Sequence, residues 1–350
     1  MNPASVVDRS ISLSTMPDTA ETSAVAQAAM EGLSANPKFL PSWLFYDDAG
    51  SQLFEAITRL PEYYLTAREH SIFCRHAGEI IAAAAGMDKQ PLSVVELGAG
   101  SASKTLVLLR ALIASQGRAI YMPVDVSEAA LQWADRNVRA ALPTVDVQPI
   151  CSEITHESPL DLPAEGRRLA LYIGSSIGNF DPEDAVELLA WLRSQLQPGD
   201  ALLLGTDMVK RQAPLLAAYN DQAGVTAEFN KNILTRLNRE LGADFALDAF
   251  EHRAVWNASE SRMEMHLDSK RAHTVRVSAL GRSFAFKRGE SIHTENSYKF
   301  TSETLEDMLA RSGFLLEQSW YDDARWFGAH LARVIGAETM LDDEAEEAAA

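Results

Sequence analysis

The sequence has few cysteines and no long apolar run. Only Cys74 and Cys151 occur among its 350 residues, which excludes a dense disulfide framework and leaves no cysteine set for a metal centre. No apolar run approaches the roughly 20 residues that cross a bilayer, and the N-terminus lacks the basic-then-apolar pattern of a secretion signal. We therefore expect a cytoplasmic protein without a membrane partner.

Basic residues are also scarce. The chain has 31 Lys and Arg against 49 Asp and Glu, a formal net charge of −18, so nucleic acid and anionic membrane surfaces are not expected partners. The eight histidines are scattered without the spacing of metal ligands, and no metal site is predicted. We expect a monomer that acts on a small molecule.

What the sequence does contain is a glycine turn between an apolar run and a helical pattern. The run 92–97 ends at Gly98 and Gly100, and a helix face then follows in Leu106, Leu109 and Ile113. Such a turn lets a ligand approach bare backbone near the partly positive N-terminus of a helix. Because Ser103 occupies the third glycine position of the dinucleotide fingerprint, the turn alone does not identify the ligand.

Two acidic residues sharpen this prediction. Glu96 stands just before the first glycine, and a second apolar run, 119–124, ends on Asp125. An acid at the tip of the second strand can accept hydrogen bonds from both ribose hydroxyls of a nucleotide-type cofactor. A nicotinamide-dependent oxidoreductase and a non-catalytic cofactor-binding protein would use the same arrangement, so both stay open at this point.

Alternating apolar runs and helical patterns predict a doubly wound α/β fold. Further strands are expected near 145–150, 168–173 and 201–204, and two last strands near 315–320 and 329–334. Residues 212–242 are predicted to be helical, and period-two runs between 263 and 286 predict antiparallel strands. The expected division is a Rossmann-like domain of residues 73–209 plus 300–336 and a second, α+β domain of residues 35–72 plus 210–299.

The two ends of the chain carry no predicted function. Residues 1–34 are expected to be a mobile leader with a short helix near 21–33, and residues 337–350 an acidic disordered tail.

The segment 38–68 is crowded with aromatic residues, which favours either a satellite core or the wall of a pocket.

A long, distinctive stretch runs from Phe45 to Tyr64, and shorter ones lie at 96–104, 123–127, 174–180, 205–207 and 295–297. Together they resemble the S-adenosylmethionine-dependent histidine Nα-methyltransferases, which make hercynine in the first step of ergothioneine biosynthesis. The resemblance covers about residues 38 to 335. It implies a class I methyltransferase fold, whose doubly wound sheet is mostly parallel with an antiparallel C-terminal strand, and up to three methyl transfers to the α-amino group of L-histidine. A relative acting on tryptophan derivatives or another amino acid is the alternative.

The same resemblance implies the site residues. S-adenosylmethionine would be bound by Tyr46, Gly98, Lys104 and Asp125, with Asp125 on the ribose and Lys104 on the methionine carboxylate. Glu153 is the candidate for the adenine edge, although the family pattern has an Asp followed by an aromatic residue there. The substrate residues implied are Tyr63, Gly174, Asn179, Tyr219, Met265, Glu295 and Ser297.

Each substrate residue has an expected role. Tyr63, Asn179 and Tyr219 are the expected catalytic residues, which hold the amino and carboxylate groups of the substrate. Glu295 and Ser297 would share one face of an extended segment and bond both imidazole nitrogens. Met265 would form an adaptable part of the pocket wall. Gly174 is also implied as a substrate-site residue.

Overall fold

The computed structural model describes residues 19–87, 90–152, 159–162 and 166–334. Its helices are α1 (Thr19–Ser34), α2 (Asp48–Ile57), α3 (Tyr64–Ala85), α4 (Thr105–Gln116), α5 (Glu128–Ala141), α6 (Pro182–Ser194), α7 (Gln212–Tyr219), α8 (Val225–Leu241) and α9 (Ser302–Arg311). Its strands are β1 (Lys38–Phe39), β2 (Leu92–Leu97), β3 (Ala119–Asp125), β4 (Val145–Val147), β5 (Ile150–Cys151), β6 (Arg167–Tyr172), β7 (Ala201–Asp207), β8 (Phe250–Asn257), β9 (Arg262–Ser269), β10 (His273–Val277), β11 (Arg282–Phe286), β12 (Ser291–Tyr298), β13 (Phe314–Tyr321) and β14 (Phe327–Val334).

A mostly parallel sheet forms the centre of the larger unit. Within the described ranges its strand order is β13-β14-β7-β6-β2-β3-β4, with β5 also paired to β3. Strands β2, β3, β6 and β7 pair in parallel, whereas β14 runs antiparallel to both β7 and β13. The predicted mostly parallel sheet with an antiparallel C-terminal strand is therefore confirmed.

Both faces of this sheet are covered by helices. Alternate residues of the strands point to opposite faces, so Val94, Leu169 and Leu203 pack in one core with α3 and α4, while Val95, Ala170 and Leu202 pack in the other with α6 and α9. Near-continuous apolar strands are what a sheet buried on both faces requires. The carboxyl ends of β2, β3, β6 and β7 meet at one edge, where ligands bind in this architecture.

A smaller sheet, antiparallel except for the parallel β1–β12 pair, lies against that edge. Its order is β1-β12-β9-β8, and β10 and β11 form a separate hairpin. Helices α7 and α8 pack on β8 and β9. In β9 the buried residues Met263, Met265 and Leu267 alternate with half-buried polar residues, as the period-two pattern predicted.

Two sequence predictions need correction. The stretch 19–34 is not part of a mobile leader, because it forms α1, which includes the helix expected near 21–33, and buries Val25, Ala29 and Leu33, with α1 packed on α8. The predicted boundary at residues 72 and 73 falls inside α3, which begins at Tyr64. The segment predicted to be helical over 212–242 contains two helices, as described next. Residues 1–18 and the predicted tail at 337–350 lie outside the described residues.

The break between α7 and α8 has a local cause. Gly224 has a positive φ of 79°, a conformation that glycine adopts readily. The carboxylate of Asp221 accepts the first backbone N–H groups of α8, from Val225 at 3.0 Å and Thr226 at 2.8 Å. These contacts satisfy helix N–H groups that otherwise have no partner, so a second helix starts within the segment predicted to be helical. None of the helices in the described ranges is long and apolar enough to span a membrane.

Candidate active site

The glycine turn joins β2 to α4 at the carboxyl edge of the large sheet. Gly98 and Gly100 have φ values of 65° and 51°, and open space lies where a Cβ would be added at either position. The backbone N–H of Gly98 donates to the carbonyl of Val124 at 2.9 Å, which ties the turn to the end of β3. The turn thus exposes bare backbone to a ligand, as predicted.

Asp125 lies beside this turn at the tip of β3. Parallel pairing of Leu97 with Val124 places the ends of β2 and β3 level. The Asp125 carboxylate accepts the backbone N–H of Ser127 at 2.9 Å, and Ser127 caps α5 by accepting from Ala130. The carboxylate is therefore held next to the turn. An open glycine cradle with an acid at its rim fits the ribose-bearing part of S-adenosylmethionine.

Glu96 connects the strand before the glycine turn to the helix after it. Its buried carboxylate accepts hydrogen bonds from the hydroxyls of Thr105, at 2.7 and 2.8 Å, and Tyr121. Burial raises the pKa of Glu96 to about 7, although both hydroxyls oppose the shift. Thr105 is the first residue of α4, so this network fixes the helix to the strand that precedes it.

Lys104 forms an ion pair that the sequence did not predict. Its partner is the fully buried carboxylate of Glu69 on α3. The other Glu69 oxygen accepts the backbone N–H of Gly174 at 2.7 Å. A Cβ at Gly174 would lie 3.0 Å from Lys104 Nζ, so glycine leaves room for the lysine. A sequence signal for Glu69 exists, since it falls on the buried stripe of α3 between Leu65 and Ile72.

One pocket brings together every predicted substrate residue. It encloses about 520 Å³ including its open mouth. Its wall contains all seven predicted substrate residues and one predicted cofactor residue: Tyr63, Gly174, Asn179, Tyr219, Met265, Glu295, Ser297 and Tyr46. Gly98, Lys104 and Asp125 lie outside this wall, and Glu69, which bonds both Lys104 and the Gly174 N–H, links the pocket to the residue that follows the glycine turn. Glu153 lies outside the described residues.

The pocket residues come from separate elements. Tyr63 precedes α3, Gly174 follows β6 with a φ of 83°, and Asn179 ends a short 3₁₀ turn. Tyr219 ends α7. Met265 on β9 pairs directly with Glu295 on β12, which places the last two beside each other across the small sheet.

Aromatic residues from the crowded N-terminal segment form one side of this pocket. Tyr46 and Phe54 lie edge to face, with ring centroids 5.9 Å apart, and Phe54 meets Tyr63 at 6.2 Å. Phe229 of α8 contacts both Tyr46 and Phe54. The pocket-wall alternative for this segment is thus confirmed for Tyr46, Phe54 and Tyr63. The sequence did not single out Phe229 or the buried Thr226, which also line the pocket.

The polar side of the pocket carries one acid and several neutral hydroxyls. Burial raises the pKa of Glu295 to about 7, and the charge of Lys299 opposes the shift. Burial also raises the pKa of Tyr63 and Tyr219, with Glu295 adding to the effect. Both phenols are therefore neutral at physiological pH, and the Glu295 carboxyl is close to half-ionised there.

Behind this wall lies a buried charge network that sequence analysis missed. Asp207, at the end of β7, pairs with Lys210 and with Lys299 and accepts the Tyr64 hydroxyl. Lys299 also donates to the hydroxyls of Tyr219 and Ser297. Two lysines and one carboxylate thus stand directly behind residues that face the pocket.

Three potential metal ligands gather on the small sheet, although the histidines are scattered in sequence. Glu264, His266 and His293 have ligand atoms within 4.8 Å of one another, because His266 pairs with His293 across β9 and β12. The Glu264 carboxylate already accepts from Arg262 at 2.9 Å and from His266 at 3.0 Å, and burial lowers the pKa of His266. In the described chain this cluster lies outside the pocket wall, and the Nδ1 atom of His266 is buried without a hydrogen-bond partner.

The parallel sheet with its antiparallel β13–β14 pair, the open glycine turn and the acid at the tip of β3 define a class I methyltransferase that uses S-adenosylmethionine. The chain belongs to the family described as histidine-specific, S-adenosylmethionine-dependent methyltransferases, whose family model matches residues 25–334. This assignment excludes the nicotinamide-dependent oxidoreductase considered above.

Relatives named for their activity cover most of the chain. It is 46% identical over 301 residues to the histidine N-alpha-methyltransferase of Mycolicibacterium smegmatis, covering 86% of this chain and 92% of that one. It is 41% identical over 309 residues to the enzyme of the same name from Mycobacterium tuberculosis, covering 88% and 94%. It is also 31% identical over 286 residues to ergothioneine biosynthesis protein 1 of Schizosaccharomyces pombe, covering 79% of this chain and 36% of that one.

Proposed function

We propose that the protein transfers methyl groups from S-adenosylmethionine to the α-amino group of L-histidine, three times in succession, to give the trimethylated betaine hercynine. One observation carries this proposal: a single pocket beside the glycine turn holds Asn179, Tyr63 and Tyr219 together with Glu295 and Ser297. The first three suit an amino acid head group, and the last two suit an imidazole. The names of the two mycobacterial relatives agree with this substrate, and the name of the Schizosaccharomyces pombe relative agrees with a role in ergothioneine biosynthesis.

The imidazole end of the pocket accounts for the choice of side chain. Glu295 supplies an acceptor, and the Ser297 hydroxyl lies two residues away on the same strand. Imidazole is the side chain that offers two ring nitrogens to such a pair. An indole offers one N–H and no ring acceptor, so it would leave the Ser297 hydroxyl proton without an acceptor on the ligand. Burying a hydrogen-bonding group without a partner costs binding free energy, which favours histidine over tryptophan as the substrate.

The head-group end positions the nucleophile. Asn179 can bind carboxylate or amine without bringing a charge, and the neutral phenols of Tyr63 and Tyr219 can do the same. The amine must be unprotonated to attack; an α-amino group has a reference pKa of about 8, and a neighbouring sulfonium charge moves it toward the neutral form. S-adenosylmethionine supplies a methyl group already activated on its sulfonium. The protein therefore aligns the amine and excludes water.

The cofactor end uses the glycine turn. Asp125 would accept the ribose hydroxyls, and Gly98 would leave room for backbone contact. Lys104, held by Glu69, which also bonds Gly174, would meet a carboxylate between the turn and the pocket. Tyr46, which lines the pocket, would contact either ligand where the two meet.

The test is a product assay. The purified protein is incubated with labelled S-adenosylmethionine and each of the common amino acids singly, and products are identified by mass. We expect label in histidine alone, passing through mono- and dimethylhistidine to the trimethylated product. Label in tryptophan but not in histidine would contradict the substrate assignment, and accumulation of monomethylhistidine alone would contradict the trimethylation.

A further inference from the structure

Lys299 lies behind the pocket wall, directly after β12, and its side chain is fully buried. Its ammonium nitrogen has three oxygen atoms in reach: Asp207 Oδ2 at 3.1 Å, the Tyr219 hydroxyl at 2.9 Å and the Ser297 hydroxyl at 2.7 Å. A lysine ammonium has three N–H donors and no acceptor. Burial lowers the pKa of Lys299, but Asp207 and Glu295 oppose that shift. The three acceptors match the three donors of the charged form.

This contact set dictates the direction of the hydrogen bonds at the wall. Because Lys299 only donates, the oxygens of Tyr219 and Ser297 must both accept from it. The two hydroxyls are 2.7 Å apart, so one donates to the other. A phenol is a stronger acid and a weaker base than an aliphatic alcohol, so Tyr219 donates and Ser297 accepts. The Ser297 oxygen then accepts two hydrogen bonds, which uses both of its lone pairs.

The proton of Ser297 is therefore left for the pocket, and its oxygen has no acceptor capacity for the ligand. Glu295, on the same strand and in the same pocket, supplies the complementary acceptor. One donor and one acceptor match a neutral imidazole, which has one N–H and one bare nitrogen. An imidazolium has two N–H groups, one of which would face the Ser297 proton with the Lys299 ammonium behind it.

We propose that Lys299 is a positioning residue that fixes the Ser297 hydroxyl as a donor and thereby makes the pocket select the neutral imidazole form of its substrate. This inference rests on the proposed function, since it needs an imidazole between Glu295 and Ser297. Lys299 touches neither ligand; it acts through the two hydroxyls.

The experiment measures binding rather than turnover. L-Histidine and its 1,2,4-triazole analogue, whose ring stays neutral in the range used, are titrated calorimetrically into the complex of the protein with S-adenosylhomocysteine, at about pH 5.5 and about pH 7.5, on either side of the reference imidazole pKa of about 6.5. The ratio of the two dissociation constants, histidine over triazole, cancels the titration of Glu295 and of the amino acid head group. What remains is the preference for the neutral imidazole.

We expect this ratio to rise about tenfold in the wild type on going to the lower pH, because the neutral fraction of a group with a pKa of about 6.5 falls about tenfold. The Lys299→Met variant should bind histidine more weakly at the higher pH, and its ratio should rise much less than that of the wild type. The Lys299→Arg variant keeps a buried cation, so its ratio should rise as in the wild type. The matched control is Lys210→Met, which also removes an ammonium from Asp207 but touches neither Tyr219 nor Ser297; its ratio should rise as in the wild type.

Each outcome decides a different point. A tenfold rise that persists in Lys299→Met would overturn the inference, and so would an equal loss of the rise in Lys210→Met, which would show a general effect of charge near Asp207. If Lys299→Met fails to fold, Lys299→Gln gives the same comparison, because its amide carries an acceptor as well as donors and so does not fix the Ser297 hydroxyl as a donor. Failure of the wild type to bind histidine at either pH would overturn the proposed function, and the inference with it.

Discussion

The carboxylate of Glu69 accepts the backbone N–H of Gly174 at 2.7 Å, within the wall of the substrate pocket. The same carboxylate holds Lys104, which lies at the start of α4 just after the glycine turn. One buried side chain on α3 therefore connects the predicted cofactor side of the site to the substrate side. A change at either end of this bridge should be felt at the other.

The Glu69–Lys104 pair gives a prediction about stability and binding. Lys104→Met leaves the buried Glu69 charge without its cation, so we expect a loss of about 1–3 kcal/mol in the free energy of unfolding. Adding Glu69→Gln removes the stranded charge and should recover most of that loss. Affinity for S-adenosylhomocysteine should stay low in both variants. Urea unfolding and calorimetry measure the two effects, and wild-type affinity in the double variant would exclude Lys104 from the cofactor site.

Asp125→Ala should weaken cofactor binding without unfolding the protein. The lost charged hydrogen bonds are typically worth about 1.5–3 kcal/mol, or roughly tenfold or more in the dissociation constant of S-adenosylhomocysteine. Asp125→Asn, which keeps an acceptor for the Ser127 N–H, is the matched variant and should fall between. Unchanged calorimetric affinity in both would show that the ribose is bound elsewhere.

The head-group residues predict that a free amino acid is required. Histamine, which lacks the carboxylate, should be a very poor substrate, because Asn179, Tyr63 and Tyr219 would be left with unmatched polar groups. The comparison is kcat/KM for histamine against histidine at saturating S-adenosylmethionine. Equal values would mean that these three residues do not form a cage for the amino acid backbone.

Glu295 should control side-chain choice. Glu295→Ala should lower activity on histidine by roughly one to three orders of magnitude, at about 1.4 kcal/mol per factor of ten, while S-adenosylhomocysteine affinity changes little. Combined with Met265→Val, its partner across the sheet, the change should favour larger uncharged aromatic amino acids. The measurement is the ratio of kcat/KM for histidine over tryptophan in wild type and double variant. A constant ratio would place the selectivity elsewhere.

Glu96 predicts a pH dependence of stability. Burial raises its pKa from 4.5 to about 7 in the folded protein, so the native state holds a proton that the unfolded state has lost between these values. The contribution to stability is complete below about pH 4.5 and is lost as the pH rises through about 7, on the order of 3 kcal/mol.

Urea midpoints of wild type and Glu96→Gln, compared at the two ends of this range, isolate the effect. The unfolding free energy of the wild type should fall relative to that of Glu96→Gln as the pH rises. Glu295 and all other groups titrate in both proteins, so their effects cancel in the difference. A difference that stays constant with pH would mean that Glu96 is charged in the folded protein throughout.

The sequence was sufficient wherever a feature depends on neighbours in the chain. The glycine turn and the acid at the tip of β3 follow from local pattern, because strand, turn and helix signals lie within a few residues of one another. The mostly parallel sheet and its antiparallel C-terminal strand were also expected. The predicted boundary at residues 72 and 73 was wrong because packing against distant parts of the chain can override local helix propensity. Helix α3 starts at Tyr64 because Tyr64 and Leu65 are buried by other parts of the fold.

Long-range polar contacts were the other failure. Glu69 meets a backbone group 105 residues away, and Tyr64 reaches Asp207 across 143 residues. No periodicity encodes such pairs, since a pattern can mark one residue as buried, as it does for Glu69, without naming its distant partner. Strand β8 was missed for a related reason: its residues are mostly half-buried or exposed, with little alternation of apolar and polar positions.

The position of β14 bears on how the protein is made. This strand, the last in the described chain, lies between β7 and β13 rather than at the rim of the sheet. While the ribosome is still translating the codons before Phe327, the edge of β7 has no partner on that side and can pair with another chain. The end of β7 carries Asp207, so the charge network behind the pocket lies beside this open edge until β14 pairs with β7. Premature termination within this strand would thus leave an unpaired edge that favours aggregation.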